Sequence, residues 1–429
     1  MKKIHLLCFL TISICFESIA QNNRLITGTV TNLENGTALP FASISLKKQL
    51  IGTITNENGE FGFLIPENIV DDTLVASYLG YYDQKIFVGD IKDQLYIKLQ
   101  ANLFALQEVV IRPMPPTHYI KVAVNKLEEN YPNAPFSTEA YYSEKIIENN
   151  RFIIHNEAVF KTYYSAYQDT ISNQNQLVLF RKETKVPKVE FMSDKIKKEK
   201  EKEQKKEKKK AMKNGLEYTE SEEEGEVKDV GSLLRSVFGG PGQIIDIGEM
   251  NNEEPFLDST SFKNFHYSFS EKSTPDMMVI NYKSMKVIDM MRHDGIIFID
   301  MQTDAIVAIE SYGILRIPLA IKPFLLLIGI RLDKPNFMMK KKYRQIEDKW
   351  YPDNIQLALD FTITKKYMFM KNEHSDFKFN QVFSVNKFEL DNPVPIALEK
   401  KFNPENEFET QVFNDNGLSW SEINIMKKE

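Results

Sequence analysis

Apolar positions between residues 25 and 112 fall in short β-branched and aromatic runs recurring about every ten residues, each cut off by Asn, Gly, Pro or Asp. Gly28 and Val30 begin the first strand, and Asn35-Gly36 turns the chain ahead of Leu39-Pro40. Segments 44–46 and 51–55 read as an edge strand and a hairpin. Phe61, Phe63 and Ile65 alternate with Gly62 and Leu64 at the period of two of a strand. Asn58-Gly59 just before them supplies the positive φ of a tight turn. The pattern predicts an all-β sandwich.

Pro113, Pro115 and Pro116 then form a stiff joint, because each fixes φ and biases its predecessor toward extended geometry. Thr117 is placed to cap a helix whose Ile120, Ala123, Val124 and Leu127 share one face and which Pro132 ends. From Phe136 strands dominate. Segments 139–147, 152–164 and 177–185 read as long antiparallel strands, with Asn149-Asn150 turning between the first two. More strands follow at 265–269, 278–282, 337–346, 355–363, 377–385 and 388–390. The clearest hairpin is 295–310, with Asp300 and Asp304 as turn residues. A short helix is expected at 233–238, capped by Ser232 and stopped by Gly239-Gly240-Pro241. Ile355, Leu357, Leu359, Phe361 and Ile363 alternate strictly with smaller or polar residues, giving one dry and one wet face. The fold class expected is mostly β: the sandwich, then a larger, strongly curved antiparallel sheet or unclosed barrel with a few helices.

Two stretches break this pattern. Residues 195–213 hold eleven Lys and four Glu, and residues 217–229 hold seven acidic residues and one Lys. Neither can bury a core, so an insertion at about 193–230 is expected to be disordered, and its opposed charges nearly cancel. Residues 314–330, ILRIPLAIKPFLLLIGI, are the most apolar stretch after the leader. Arg316, Pro318, Lys322 and Pro323 interrupt it, leaving an apolar run far short of the roughly 20 residues a bilayer span needs. It reads as a buried strand and loop, or as a lid over an apolar cavity. Leu319, Ile321, Phe324, Leu325, Leu326, Leu327 and Ile328 are the candidate ligand or lid residues.

Composition narrows the function. Residues 1–20 have a basic start at Lys2 and Lys3, an apolar run, and a small-x-small end at Ser18-Ile19-Ala20, as a secretory signal peptide does. Both cysteines, Cys8 and Cys15, lie within it, so disulfides and thiolate chemistry are excluded from the mature chain. Ile14 before Cys15 is too large for a lipoprotein signal. The net charge of -6 becomes -7 once Lys2, Lys3 and Glu17 are removed, which disfavours nucleic acid as a partner. No cofactor or metal is expected. H-x-x-E, H-E-x-x-H, G-x-S-x-G and phosphate-loop spacings are missing, and His118, His155, His266, His293 and His374 are scattered.

GTVTNLENGTALPFASISL, GTITNENGEFGFLIP, DTLVASYLGY and LQEVVIR, in that order, resemble the carboxypeptidase regulatory-like domain of Bacteroidetes envelope proteins, including the amino-terminal module of SusC-type TonB-dependent transporters. That resemblance implies a transthyretin-like sandwich over residues 21–112 that accompanies other domains and is not a peptidase. Too little chain follows for a transporter. Residues 113–117 are then the joint, and residues 118–429 the second domain. There the order of helix, long hairpins, the segment 295–306 and Trp350-Tyr351-Pro352 resembles, more weakly, the LolA/LolB-like periplasmic lipoprotein-carrier fold.

The expected function is a non-catalytic protein of the periplasm or the periplasmic face of the outer membrane. Its second domain would bind an acyl chain or other apolar ligand, and the sandwich would dock it to an outer-membrane protein. The alternatives are an adaptor with a filled core and, last, a hydrolase.

Overall fold

The computed structural model describes residues 23–92, 94–102, 113–165, 173–184, 240–250, 254–288, 291–315, 330–366, 372–404, 406–415 and 417–427. The signal peptide expected at 1–20, the charged insertion, the helix expected at 233–238 and the apolar run from Leu319 to Ile328 lie outside them.

The first seven strands are β1 (Asn23–Asn32), β2 (Ser43–Leu46), β3 (Gly52–Ile54), β4 (Glu60–Pro66), β5 (Thr73–Ser77), β6 (Gln84–Phe87) and β7 (Gln94–Leu99). They build two sheets, ordered β4-β1-β7 and β3-β2-β5-β6. β1 runs antiparallel to β4 and parallel to β7. Alternation decides the packing: Ile26, Val30, Phe61, Phe63, Ile65 and Ile97 of one sheet face Ile44, Leu74 and Ala76 of the other across a dry interior. The turn at Asn58-Gly59 forms as expected, with Gly59 at φ 74°. The strand at 44–46 is internal rather than an edge. β2 pairs with both β3 and β5, because the tight turn at Leu50 (φ 54°) folds β3 back onto its outer side.

Helix α1 (Pro116–Asn125) starts two residues earlier than the sequence suggests, with Pro115 rather than Thr117 at the cap. Proline suits the first helical position because its missing N–H is unpaired there in any case. A break at Lys126 leads into α2 (Leu127–Asn130). Ile120, Ala123 and Leu127 are buried, as their spacing requires.

Ten strands form the second sheet: β8 (Phe136–Glu148), β9 (Arg151–Tyr164), β10 (Gln174–Thr184), β11 (Phe265–Phe269), β12 (Met277–Ser284), β13 (Met291–Asp300), β14 (Ile306–Leu315), β15 (Ile330–Ile346), β16 (Lys349–Lys365) and β17 (Glu373–Glu389). Their order, β10-β9-β8-β17-β16-β15-β14-β13-β12-β11, is antiparallel throughout and leaves the sheet open. Asn149 and Asn150, both at positive φ, make the β8–β9 turn. Asp300 accepts from the backbone of Gln302 and Thr303 in the β13–β14 turn, so it shapes the turn as expected.

The sheet has two occupied faces. On the inner face α1, α2 and the unforeseen helix α3 (Pro241–Gly248) lie against the strands. Pro241, expected to stop a helix at 233–238 that lies outside the described residues, occupies the first turn of α3, a start the sequence reading did not foresee. The outer face carries the sandwich, where Ile54 packs with Tyr141, Val382 and Met426. Phe388 N–H donates to Leu50 O (3.1 Å), and Ile51 bridges Lys387.

Residues 391–427 show no periodicity in sequence, yet they tie the two units together. The backbone N–H of Phe402 donates to Asn175 O (2.7 Å) and that of Phe413 to Leu177 O (2.9 Å), covering the free side of β10. Phe402 and Phe408 reach the inner face, while Trp420, Ile423 and Ile425 pack on Val159, Val178 and Leu179. The segment therefore wraps the sheet's edge. It ends at the sandwich, where the Asn424 amide accepts from Leu64 N–H (2.6 Å) and donates to Leu64 O (3.1 Å). One side chain thus stands in for a neighbouring strand on β4. Asn424→Ala removes both bonds and is expected to cost about 1–2 kcal/mol in thermal or denaturant unfolding. The Leu64 amide should exchange faster while the β10 amides stay protected.

Candidate functional site

Register lines residues up across the inner face. Asn156, Glu144, Gln381, Leu357, Met339, Ser311, Gly295 and Tyr282 form one row over eight strands. Its polar end is closed on itself. Glu144, with no exposed surface, accepts from Tyr142 Oη (2.8 Å) and Asn156 Nδ2 (2.9 Å), and Gln381 Nε2 donates to Tyr142 Oη (2.8 Å). Glu148, equally buried, lies 3.7 Å from Arg151. Carboxylates at that depth are tolerated only with such charge-assisted partners.

Three apolar clusters share this face. One joins α1 and α2 to β12–β14; a second joins α3 and Phe408 to Phe136, Phe160 and Phe383. The third consists of strand residues: Ile146, Ile153, Ile154, Leu359, Phe361, Phe377 and Phe379. There the rings of Phe361 and Phe377 stack with centroids 5.5 Å apart.

Between the first two clusters, Tyr343 and Tyr164 are buried, and the Tyr343 hydroxyl has no hydrogen-bond partner among the described residues. Glu249 follows α3 nearby. Burial pushes its carboxyl up to about 7; Asn173 opposes the shift by hydrogen bonding and Asp246 adds to it.

The outer face holds a second polar group at the seam with the sandwich. Asp353 accepts from Ser43 Oγ (3.1 Å) and pairs with Arg344, whose guanidinium lies over the Phe388 ring at 5.3 Å. Lys342 Nζ donates to Ser77 Oγ (3.1 Å). Burial pulls the Lys342 ammonium below its ordinary pKa, against the attraction of Asp353 and Asp83. Gly52 leaves room for Arg344: a Cβ there would sit 2.8 Å from Nη2 and 2.9 Å from Ile44 O.

His155 and Ser143 meet on this face at 2.8 Å, a contact that base and nucleophile would need. The neighbouring carboxylate is committed elsewhere. Glu157 takes Arg181 at 2.6 and 2.8 Å and Tyr141 at 2.7 Å. Burial works against its charge, and Arg181 and Tyr141 outweigh that, holding it below the usual range. Ser143 is 2% exposed beneath the sandwich. The pair therefore belongs to the packing of the seam. A shallow cleft of about 350 Å³ opens on the same face of β11–β14, lined by His266, Ser268, Asn281, Lys283, Asp294 and Tyr312. Its Tyr312 hydroxyl donates to Glu310, and Asp294 accepts from Ser284 N–H.

Leu319, Ile321, Phe324, Leu325, Leu326, Leu327 and Ile328 lie outside the described residues. Of the five histidines beyond residue 20, out of six in the chain, His155 contacts Ser143 and His266 lines the cleft. Sequence reasoning missed Asn424, Arg344 and Asp353. Aromatics scattered among Asn and Pro after residue 400 hint at an extended strap, but nothing local identifies its target. Among the described residues, no group of three His, Cys, Asp or Glu could hold a metal ion, and no helix is long and apolar enough to cross a membrane.

Residues 26–111 match the sequence profile of the CarboxypepD_reg-like domain. The sandwich is a carboxypeptidase regulatory-like domain. Over 110 residues the chain is 26% identical to TonB-dependent receptor P3 of Formosa agariphila, covering 26% of this chain and 11% of the receptor. The chain thus spans about a tenth of that relative's length. Among solved structures, a putative membrane-associated protein of unknown function from Bacteroides fragilis aligns over 86% of this chain and 98% of its own, at 10% identity and a TM-score of 0.15. Lipovitellin, described for its lipid–protein interactions, aligns over 62% of this chain and 26% of its own, at 5% identity and a TM-score of 0.26. At these scores neither superposition carries an argument about fold or function.

Glu249 has a pH signature. Its folded pKa lies above the ordinary 4.5, so the folded state holds the proton that the unfolded state has released. Its contribution is present below about pH 4.5 and is lost as pH rises through about 7. Thermal unfolding from pH 4 to 8 should therefore show a fall in Tm over that window that Glu249→Gln reduces.

Proposed function

We propose that this is an exported, non-catalytic protein of the cell envelope, whose regulatory-like domain docks it to an outer-membrane protein partner and whose open sheet is the body so positioned. The observation that carries this reading is how the two faces are used. The protein's own helices and carboxy-terminal strap occupy much of the inner face, and the regulatory-like domain is bound to the outer face. The domain match and the receptor relative support an envelope setting. Signal-peptide export and a periplasmic location belong to the same proposal. Lysine-directed cross-linking in native cells, read by mass spectrometry, tests it. Links should join lysines of the regulatory-like domain to an outer-membrane protein; links from the sheet alone, or none in the membrane fraction, reject the reading.

A second reading gives the sheet an apolar ligand such as an acyl chain. It is favoured by the phenylalanine-rich third cluster, which lies beside the buried Glu144 and Glu148 and the half-buried Arg151, a lining suited to a chain with a polar end. The apolar run carrying Phe324 and Leu325 is then the proposed cover. Native mass spectrometry of the chain from Gln21 onward, followed by solvent extraction, should find a discrete lipid mass. A bare mass with no uptake of added fatty acid rejects this reading and leaves the docking role standing.

A further inference from the structure

Register assigns the connections of the ten-stranded sheet to two ends. Glu148 pairs with Arg151 and Phe377, Lys365 with Glu373 and Ile330, Leu315 with Met291, and Ser284 with Phe265, so these residues mark one end. The other end holds the connections 165–173, 270–276, 301–305 and 347–348.

Those four connections are acidic, carrying Asp169, Glu271, Asp276, Asp304, Glu347 and Asp348 against Lys272. The rest of the molecule is attached toward this acidic end. Lys126 reaches Asp304, Asn130 Nδ2 donates to Thr303 O, and the bonds of Phe388 to Leu50 and of Phe402 to Asn175 lie here.

The first end is apolar and basic. Besides the Asn149-Asn150 turn, its connections read MKVIDM (285–290), RIPLAIKPFLLLIG (316–329) and KYMFMKN (366–372). Among the described residues there, Met285 is 60% exposed and Ile314 51%, and Lys286, Arg292 and Lys366 are exposed beside them. Several acids of this end are engaged locally. Glu148 lies beside Arg151, Asp333 accepts from Arg331, Asp376 accepts from Thr362 Oγ1, and Asp294 accepts from Ser284 N–H. Lys182 offsets Glu183, and the charged segments that follow β10 nearly cancel, which leaves Asp289 and Glu373 against Lys286, Arg292, Arg316, Lys322, Lys366 and Lys371. The phenylalanine cluster also runs out to this end of the inner face, since Phe377 pairs with the last residue of β8.

Exposed apolar side chains beside an excess of cations suit the boundary of a bilayer, where the first enter the acyl region and the second meet lipid phosphates. We propose that this end of the sheet rests on an anionic bilayer surface, with Met285 and Ile314 at the acyl boundary and Lys286, Arg292 and Lys366 on headgroup phosphates. The regulatory-like domain, held toward the acidic end, stays clear of the lipid. The proposal goes beyond the docking reading and does not depend on it, because it gives the sheet a surface of its own.

The chain from Gln21 onward keeps every described residue and has no cysteine, so Met285→Cys, Ile314→Cys and Asp348→Cys each accept a single nitrobenzoxadiazole label. Vesicles of phosphatidylcholine with about 30% phosphatidylglycerol should bind the chain at least about tenfold more tightly than pure phosphatidylcholine, and raising salt from about 0.1 to about 0.5 M should weaken that binding. On binding, labels at 285 and 314 should brighten and shift to the blue, while the label at 348 stays in water. Lys286→Glu, Arg292→Glu and Lys366→Glu together change only exposed side chains and should lower affinity for the anionic vesicles about tenfold or more. Equal binding to neutral and anionic vesicles, no binding to either, or shielding of the label at 348 overturns the proposal. Cross-links from the regulatory-like domain to an outer-membrane protein without vesicle binding leave docking standing and reject this surface. A chain that takes single lipids and leaves the vesicles supports the ligand reading and likewise rejects it.

Discussion

Backbone hydrogen bonding at sheet edges is the constraint on which this structure depends. An open ten-stranded sheet and a two-sheet sandwich expose rows of N–H and C=O groups that burial would leave unmatched and that solvent would leave open to any passing strand. The chain meets this demand with segments of little intrinsic structure. Residues 391–427 cover β10 with backbone bonds from Phe402 and Phe413 and then satisfy β4 with the amide of Asn424. The covering segment also crosses from one unit to the other, so edge protection and inter-unit attachment come from the same residues.

Charge at the seam follows from that attachment. Placing the sandwich on the sheet buries Asp353, Glu157 and Lys342, which persist there because each has a partner. Arg344 and Ser43 serve Asp353, Arg181 and Tyr141 serve Glu157, and Ser77 serves Lys342. Such pairs add little net stability over apolar contacts, but separating them strands a charge, so they fix one relative placement of the units. Arg181 is held further by Trp420 of the strap, with its guanidinium 4.2 Å from the ring centroid.

Much of the architecture was legible because it rests on short-range rules. The period-two runs at Phe61, Phe63 and Ile65 and at 355–363, the Asn149-Asn150 turn and the Asp300 turn all read correctly, since alternation and turn chemistry act within a few residues. Errors came where a residue has two uses. The start of α3 at Pro241 went unforeseen because a proline can both follow one helix and open the next, and only the neighbouring strands, which bury Ile244 and Ile245, make α3 worth forming. Thr117 is a better cap than Pro115 by side-chain chemistry, yet the chain's approach fixes the start at Pro116. The residues expected to line a site, Leu319 to Ile328, lie outside the described residues. The phenylalanine cluster and the buried Glu144 network come from four strands distant in sequence, β8, β9, β16 and β17, that only register brings together.

The sequence alone determined two β-rich units, the turns between their strands, the family of the first and the placement of both cysteines before residue 16, because periodicity, turn residues and composition are local properties. Tertiary structure decided the rest: which strand neighbours which, which face each helix covers, and that an aperiodic tail closes two edges. Those outcomes depend on pairing across hundreds of residues, as with Leu64 and Asn424 or Ser43 and Asp353. No local signal encodes a partner at that separation, because an amide or a carboxylate looks the same in sequence whether it meets water or an unfinished sheet.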